Sequence, residues 1–257
     1  MEILPINTPL LKAGDDLAAI LQENGDTKEG DIIVVSSKAI ATVEGDAIDL
    51  RILKPSAAAK SLAKKTGDAS AANFYEAVIQ ECKRLHGKVI GHCPGAALTA
   101  VRPEGMKNGW ILTANAGLDQ SNVPKGHAIG WPSDAVKSIR KLREVFHTTD
   151  SGQRIGIIVS DSCCRPMRLG VTAIALLASG IDPIRSLKGT DDLFGRRLRI
   201  TNEAIADQLA TAANAVMGNA AESIPAAIIR DHGIPSSDFE GWVPGIEIEE
   251  DIYKEVL

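Results

Sequence analysis

Ile155-Gly156-Ile157-Ile158-Val159-Ser160-Asp161-Ser162-Cys163-Cys164-Arg165-Pro166-Met167-Arg168-Leu169-Gly170 is the stretch on which the reading of this chain turns. The apolar run Ile155 to Ser160 predicts a buried strand that ends abruptly at Asp161. A carboxylate and a hydroxyl at a strand end suit Mg²⁺ or Mn²⁺. Arg165 and Arg168 beside them can grip phosphate or carboxylate oxygens. Salt bridges at a surface turn are the plainer alternative, but a buried strand delivering this much charge tips the reading toward function.

Working outward, a second buried strand is predicted over 31–36, after the turn signal Lys28-Glu29-Gly30. Pro55-Ser56 opens an Ala/Lys-rich helix that stops near Gly67, and 73–85 reads as a second helix. A short strand over 110–114 runs into the turn Asn115-Ala116-Gly117, and 133–146 is amphipathic. Thr201 is the expected N-cap of a helix running to Met217 and closed by Gly218, and 226–229 is a last buried strand. Strands and helices do not alternate regularly, which favours an α+β fold over a doubly wound sheet.

Composition agrees with a globular protein: 257 residues, 44% hydrophobic and 24% charged. The net charge of −5 and the 4% aromatic content argue against nucleic-acid coating, membrane-surface binding or a base-stacking platform. The longest apolar stretch, 171–181, is far short of the ~20 residues a membrane helix needs. The start, Met1-Glu2-Ile3-Leu4-Pro5, carries no signal-peptide pattern, so a cytoplasmic location is expected. Cys82, Cys93, Cys163 and Cys164 show no zinc or disulfide spacing. A redox role for the adjacent Cys163 and Cys164 is open, inert thiols beneath the loop being the expected case.

Two further polar segments stand out. In 115–123, NAGLDQSNV, a strand delivers a carboxylate, a hydroxyl and amides into one turn. That is a hard-cation donor set, and equally an Asx turn. In 188–198, KGTDDLFGRRL, glycines, acids and arginines make a dense polar loop. No P-loop, dinucleotide fingerprint, H-E-x-x-H or G-x-S-x-G motif occurs.

The three segments, in this order and spacing, resemble the coenzyme F-420-0:L-glutamate ligase family, the CofE- and FbiB-type γ-glutamyl ligases. The resemblance runs from Thr8 to about Arg230. It includes Val34-Val35-Ser36-Ser37-Lys38, Glu44-Gly45, Ala206-Asp207 and Met217-Gly218. It implies a two-lobed α+β fold in a single ligase unit and an intertwined homodimer. It also implies GTP-dependent amide ligation. L-glutamate is added to the carboxylate of a deazaflavin coenzyme precursor through an acyl phosphate, releasing GDP and phosphate, with Mg²⁺ or Mn²⁺ required. A family ligase acting on another acceptor or amino acid, and a nucleotide-binding protein without ligase activity, are the alternatives.

By the same resemblance, Asp119, Asp161 and Ser162 fall on metal positions. Thr8, Pro9, Leu10, Leu11, Ser37, Lys38 and Asn122 fall on nucleotide positions. So does the segment Met217, Gly218, Asn219, Ala220, Ala221, Glu222, Ser223 and Ile224. Arg165 and Arg168, with Arg196 as a weaker candidate, are assigned to phosphate or acceptor carboxylate from charge and location. The chain departs from the family pattern at Ala41-Thr42, at Cys164, in 97–109 and in Gly130-Trp131-Pro132-Ser133-Asp134. Asn219 stands where some members carry an acid for a second metal, with Glu222 a possible substitute, so a weakly bound second ion is expected.

Overall fold

The computed structural model describes residues 1–147 and 154–255. The chain enters as β1 (Glu2–Ile6), followed by α1 (Leu17–Asn24), whose first turn is capped by the Asp16 carboxylate accepting from Ala19 N. Strand β2 (Ile32–Ser36) passes directly into α2 (Ser37–Glu44). The two-residue β3 (Ile48–Asp49) leads to α3 (Ala57–Lys65), capped by Ser56, and to α4 (Ala72–Arg84). Strands β4 (Lys88–Cys93), β5 (Ala96–Val101) and β6 (Ile111–Ala114) form an antiparallel meander, and β7 (His127–Ala128) returns to pair with β3. Helix α5 (Ala135–His147) precedes the long hairpin of β8 (Gly156–Cys164) and β9 (Val171–Ile181). The short β10 (Arg185–Ser186) and β11 (Asn202–Glu203) pair across a loop, and α6 (Ile205–Met217), β12 (Ala226–Arg230) and β13 (Ser236–Trp242) follow.

Six strands form the main sheet in the order β1-β12-β2-β8-β9-β13. Every neighbouring pair is antiparallel except the central β2 and β8, which run parallel from Ile32↔Gly156 to Ser36↔Ser160. Both faces of that pair are buried. Ile33, Val35, Ile157 and Val159 join a cluster with Leu21 of α1 and Ile139 and Phe146 of α5. Ile32, Val34 and Ile158 join another with Leu209, Ala210 and Ala213 of α6. Burial on both faces is why 32–35 and 157–159 read as unbroken apolar runs rather than alternating ones. A third cluster packs Leu62 of α3 and Phe74 and Val78 of α4 against Ala97 and Leu118. Helices and mixed sheets thus agree with the α+β expectation. No helix among the described residues is long and apolar enough to cross a membrane.

Two expectations need correction. Strand β8 does not stop at Asp161 but continues to Cys164, paired with β9 through Asp161↔Ile174 and Cys164↔Val171. The ladder carries the strand past the point where burial ends, so the change in polarity marks the edge of the core rather than the end of the strand. Thr201 is not a helix cap. Asn202 and Glu203 pair with Ser186 and Arg185, and α6 starts at Ile205 without a side-chain cap. Gly218, at φ 73°, does close α6 as expected.

Candidate active site

Because β2 and β8 are parallel, their C-terminal ends lie side by side at one edge of the sheet. Ser37 and Lys38 follow one strand, and Asp161 and Ser162 extend the other past Ser160. A bulge in β9 sits at the same level. Val159 faces Leu177 while Ser160 faces Ala175, leaving Leu176 as the extra residue. Ala175 N donates to Asp207 Oδ1 at 2.9 Å, so Asp207, singled out only by family pattern, ties α6 to the β9 backbone beside the bulge. Burial pushes its carboxyl up.

The turn 115–122 reaches the same edge. Asn115, Ala116 and Gly117 are successively left-handed, at φ 52°, 55° and 79°, and Asn122 at φ 56° makes a fourth. For alanine this conformation costs about 1–2 kcal/mol. It is held by buried partners: Ala116 N donates to Thr99 Oγ1 at 3.0 Å, and Asn115 Oδ1 accepts from Ala97 N at 2.8 Å. The turn delivers Asp119, which is bridged through its backbone to Ile129 by two bonds of 2.9 Å.

Lys38 Nζ lies 2.5 Å from Asp119 Oδ2 and donates to Ser121 Oγ at 2.9 Å. Asp119 also accepts from Gln120 N, Ser121 N and the Ser121 hydroxyl. Burial alone would raise the Asp119 carboxyl, but Lys38 and Ser121 outweigh it and hold the group at about 2. Asp161 is the opposite case. Its Oδ2 accepts from Trp131 Nε1 at 2.6 Å and its Oδ1 from Ser162 N at 2.8 Å. Desolvation dominates, with the nearby Asp119 charge adding to it, and the carboxyl is pushed up to about 6 despite Trp131, Ser162 and Lys38.

The remaining nucleotide candidates close one side of this edge. Thr8 N donates to Ser223 O at 3.0 Å, and Asn122 Nδ2 donates to Ala220 O at 2.8 Å. The loop 217–224 is thereby joined both to the end of β1 and to the Asp119 turn. Within it, Glu222 folds back to accept from Ala220 N at 2.8 Å. A Cβ at 218 would come within 2.3 Å of Glu222 Cδ, so this fold-back requires a glycine there. Ser37 is buried at the start of α2, and Pro9 and Leu10 are exposed beyond Thr8, with Leu11 half-buried.

The arginines stand on projecting elements. Arg165 and Arg168 stand on the exposed tip of the β8–β9 hairpin, and Arg196 stands in the exposed loop between β10 and β11, its backbone closing a turn with Asp192. Arg165 lies near enough to Cys163 and Asp207 to pull both groups down against burial. Cys164 is exposed and Cys163 half-buried on the strand, so they do not pack under a loop. The tip and the loop display apolar side chains as well. Met167, Leu169, Leu193, Phe194 and Ile200 are 84–108% exposed.

The donor set fits a hard divalent cation bound with phosphate. The described residues contain no cluster of three or more His, Cys, Asp or Glu side chains. Mg²⁺ needs none, since it binds through one or two carboxylates and takes phosphate and water for the rest. Two further residues hold the carboxylates at this edge. Ser121, the hydroxyl of the cation-donor turn, instead binds Asp119 and Lys38, and a hydroxyl two residues beyond an acid is a readable signal in the sequence. Trp131 lies in a segment that departs from the family pattern, and nothing in that local pattern announces its contact with Asp161.

Comparison with known proteins places the chain among ligases. The family model described as F420-0:Gamma-glutamyl ligase matches residues 5–231. The chain belongs to that family, as the sequence resemblance indicated. The coenzyme F420:L-glutamate ligase of Methanopyrus kandleri is 36% identical over 231 residues, covering 90% of this chain and 86% of that protein. That of Methanocaldococcus jannaschii is 35% identical over 255 residues, covering 99% and 97%. That of Methanothermobacter thermautotrophicus is 38% identical over 229 residues, covering 87% and 86%.

Proposed function

We propose that this ligase uses GTP to join L-glutamate to the carboxylate tail of the deazaflavin coenzyme F420-0, through an acyl phosphate. The observation that carries the reading is the convergence of Thr8, Lys38, Asp119, Asn122, Asp161 and the loop 217–224 on the end of one parallel strand pair. The chemistry explains why such a set is needed. A carboxylate does not acylate an amine unaided, because its oxygen is a poor leaving group. Transfer of the γ-phosphoryl of GTP to that oxygen gives an acyl phosphate and GDP. The glutamate amine then attacks the acyl carbon, phosphate leaves with the C–O bond, and the nitrogen gives up a proton. Divalent Mg²⁺ or Mn²⁺, held by Asp119, Asp161 and Ser162, would spread the charge on the transferring phosphoryl. Lys38 supplies a fixed positive charge for the phosphates, while Asn122 and the backbone of 217–224 line the nucleotide side. Arg165 and Arg168 are assigned to phosphate or the acceptor carboxylate.

We further propose the two-lobed, intertwined homodimer of the family resemblance. The apolar side chains of Met167, Leu169, Leu193 and Phe194, fully exposed in one chain, support an assembly that covers them. Scattering from the purified protein should give twice the chain mass. The reaction itself is tested by incubating the protein with F420-0, L-glutamate, Mg²⁺ and either GTP or ATP. The expected outcome is GDP and phosphate in step with a product heavier by one glutamyl residue. Glutamyl transfer to another carboxylate in an acceptor panel, with none to F420-0, would replace the substrate. No nucleotide consumption with any acceptor would overturn the ligase mechanism.

A further inference from the structure

Asp161 is held differently from Asp119. Its two donors, the Trp131 indole N–H at 2.6 Å and the Ser162 amide N–H at 2.8 Å, are neutral and take one oxygen each. Such a pair fixes the plane of the carboxylate without cancelling its charge, and leaves a second lone pair on each oxygen for a cation. An arginine in place of Trp131 would hold the group as firmly but neutralise it.

The indole is itself immobilised. Trp131 is 3% exposed, and its ring lies 6.0 Å from that of Trp242, whose Nε1 donates to Glu104 O at 3.0 Å. On the other side it lies against Gly117. A Cβ there would meet Trp131 Nε1 and Cε2 at 2.7 Å, so the bare glycine of the Asn-Ala-Gly turn makes room for the ring. Two residues before Trp131, Ile129 is bridged to the Asp119 backbone. One short segment, 129–131, is therefore bonded to the backbone of one carboxylate residue and to the side chain of the other.

We propose that Trp131 is a positioning residue for the divalent cation, fixing the plane of the Asp161 carboxylate and setting its spacing from Asp119 through the 129–131 segment. This rests on the metal reading of Asp119 and Asp161 given above. Partners of metal-ligating groups typically contribute 10–100-fold to metal affinity.

The test uses the whole protein and Mn²⁺ alone, with binding followed by electron paramagnetic resonance or calorimetry. Trp131→Phe should weaken Mn²⁺ binding by about tenfold or more. Trp110→Phe removes an indole that packs with Lys88, on a residue bridged to Ile246 rather than bonded to Asp161, and should stay within about twofold of the parent. Nitrogen-15 labelling of the 3 tryptophans gives an independent readout that needs no folded Trp131 variant. The Trp131 indole N–H resonance, assigned by elimination with Trp110→Phe and Trp242→Phe, should shift on adding Mg²⁺ and in Asp161→Asn more than the other two. If the parent binds Mn²⁺ and Trp131→Phe binds it equally, or both tryptophan variants lose affinity alike, the positioning role is overturned alone. A resonance that moves with neither Mg²⁺ nor Asp161→Asn overturns it too. A parent that binds no Mn²⁺ either alone or with GTP, in whose presence the same comparison is then made, overturns the metal reading and this role with it.

Discussion

The two ends of the β2–β8 pair both carry a partly or fully buried carboxylate, and they treat it in opposite ways. At the N-terminal end, Asp31 is 2% exposed and sealed by charge. Arg230 reaches it with Nε at 3.0 Å and Nη2 at 2.7 Å, and Lys28 N donates at 2.7 Å. Next to it, His232 donates Nε2–H to Gly30 O at 2.7 Å, because its Nδ1 already accepts from Ile234 N at 2.9 Å. At the C-terminal end, Asp161 is bonded to neutral donors and, among the described residues, to no cation, while the nearby Lys38 ammonium is engaged by Asp119 and Ser121. A bidentate arginine balances a carboxylate and makes it part of the fold. Neutral donors orient a carboxylate and leave its charge to be balanced by something else. Burial alone therefore does not distinguish Asp31 from Asp161; the charge of their partners does.

The comparison breaks most sharply under Asp→Asn at the C-terminal end. Asp119→Asn and Asp161→Asn should each reduce Mg²⁺-dependent GTP turnover about 1000-fold, since metal stabilisation of a phosphoryl transition state is worth several kcal/mol. The stability cost without metal should be only about 1 kcal/mol. Asp119 sits half-exposed in its ion pair, and Asn at 161 loses one of two acceptor positions. Urea unfolding beside a phosphate-release assay separates the two effects. Retained turnover in both variants would make these acids structural rather than metal-binding.

The reverse pattern is expected at the other end. Arg230→Met strands Asp31 in the interior and should destabilise the protein by about 3–5 kcal/mol. Turnover per folded molecule, measured well below the unfolding transition, should not change. Equal loss of activity at both ends would show that the site depends on the whole sheet rather than on its C-terminal edge.

Glycine supplies a third, smaller contrast at nearly identical φ. Gly30 has φ 82° and open space around it, so Gly30→Ala should cost about 1 kcal/mol of conformational strain and nothing more. Gly117 has φ 79° and the Trp131 ring at 2.7 Å from its missing Cβ. Gly117→Ala should add about 1–3 kcal/mol of overpacking to that strain and weaken Mn²⁺ binding by moving the indole. Binding unchanged in Gly117→Ala would uncouple the turn from Asp161.

How much of this was legible beforehand follows from the range of the forces involved. The unbroken runs 32–35 and 157–159 announced a doubly buried strand pair, because burial on both faces writes itself into local composition. Ser56 and Gly218 gave helix ends for the same local reason. Polarity misled at Asp161 and at Thr201, where pairing with a distant strand overrode it. Within the site, the acids and Lys38 were marked by family pattern. Their pairing across 81 positions of sequence, and that of Trp131 with Asp161 across 30, are products of topology that no local window contains.

The subtlest expected effect is in the pH dependence of the metal-free protein. The Asp161 carboxyl moves from an ordinary 3.8 to about 6 on folding, chiefly by desolvation. A raised carboxyl binds its proton more tightly in the folded state, so its contribution to stability is fully present below pH 4 and is lost as pH rises through about 6. Asp119 runs the other way. Lowered to about 2 by Lys38 and Ser121 against the pull of burial, it contributes stability above pH 4 that is lost only as pH falls toward 2. Between pH 5 and 7 Asp119 is ionised in both folded and unfolded chains, so this window separates Asp161 from Asp119, and comparison with Asp161→Asn separates it from the other raised carboxyls, Glu44 and Asp207. Without metal, the unfolding free energy of the parent should decline across it relative to Asp161→Asn, which has no carboxyl there to ionise. Saturating Mg²⁺ should remove the decline, because the cation balances the charge that the protein leaves open and binds only the ionised group. Parallel profiles for parent and variant, with or without Mg²⁺, would mean that Asp161 is already neutralised within the fold, as Asp31 is, and would erase the distinction between the two ends of the sheet.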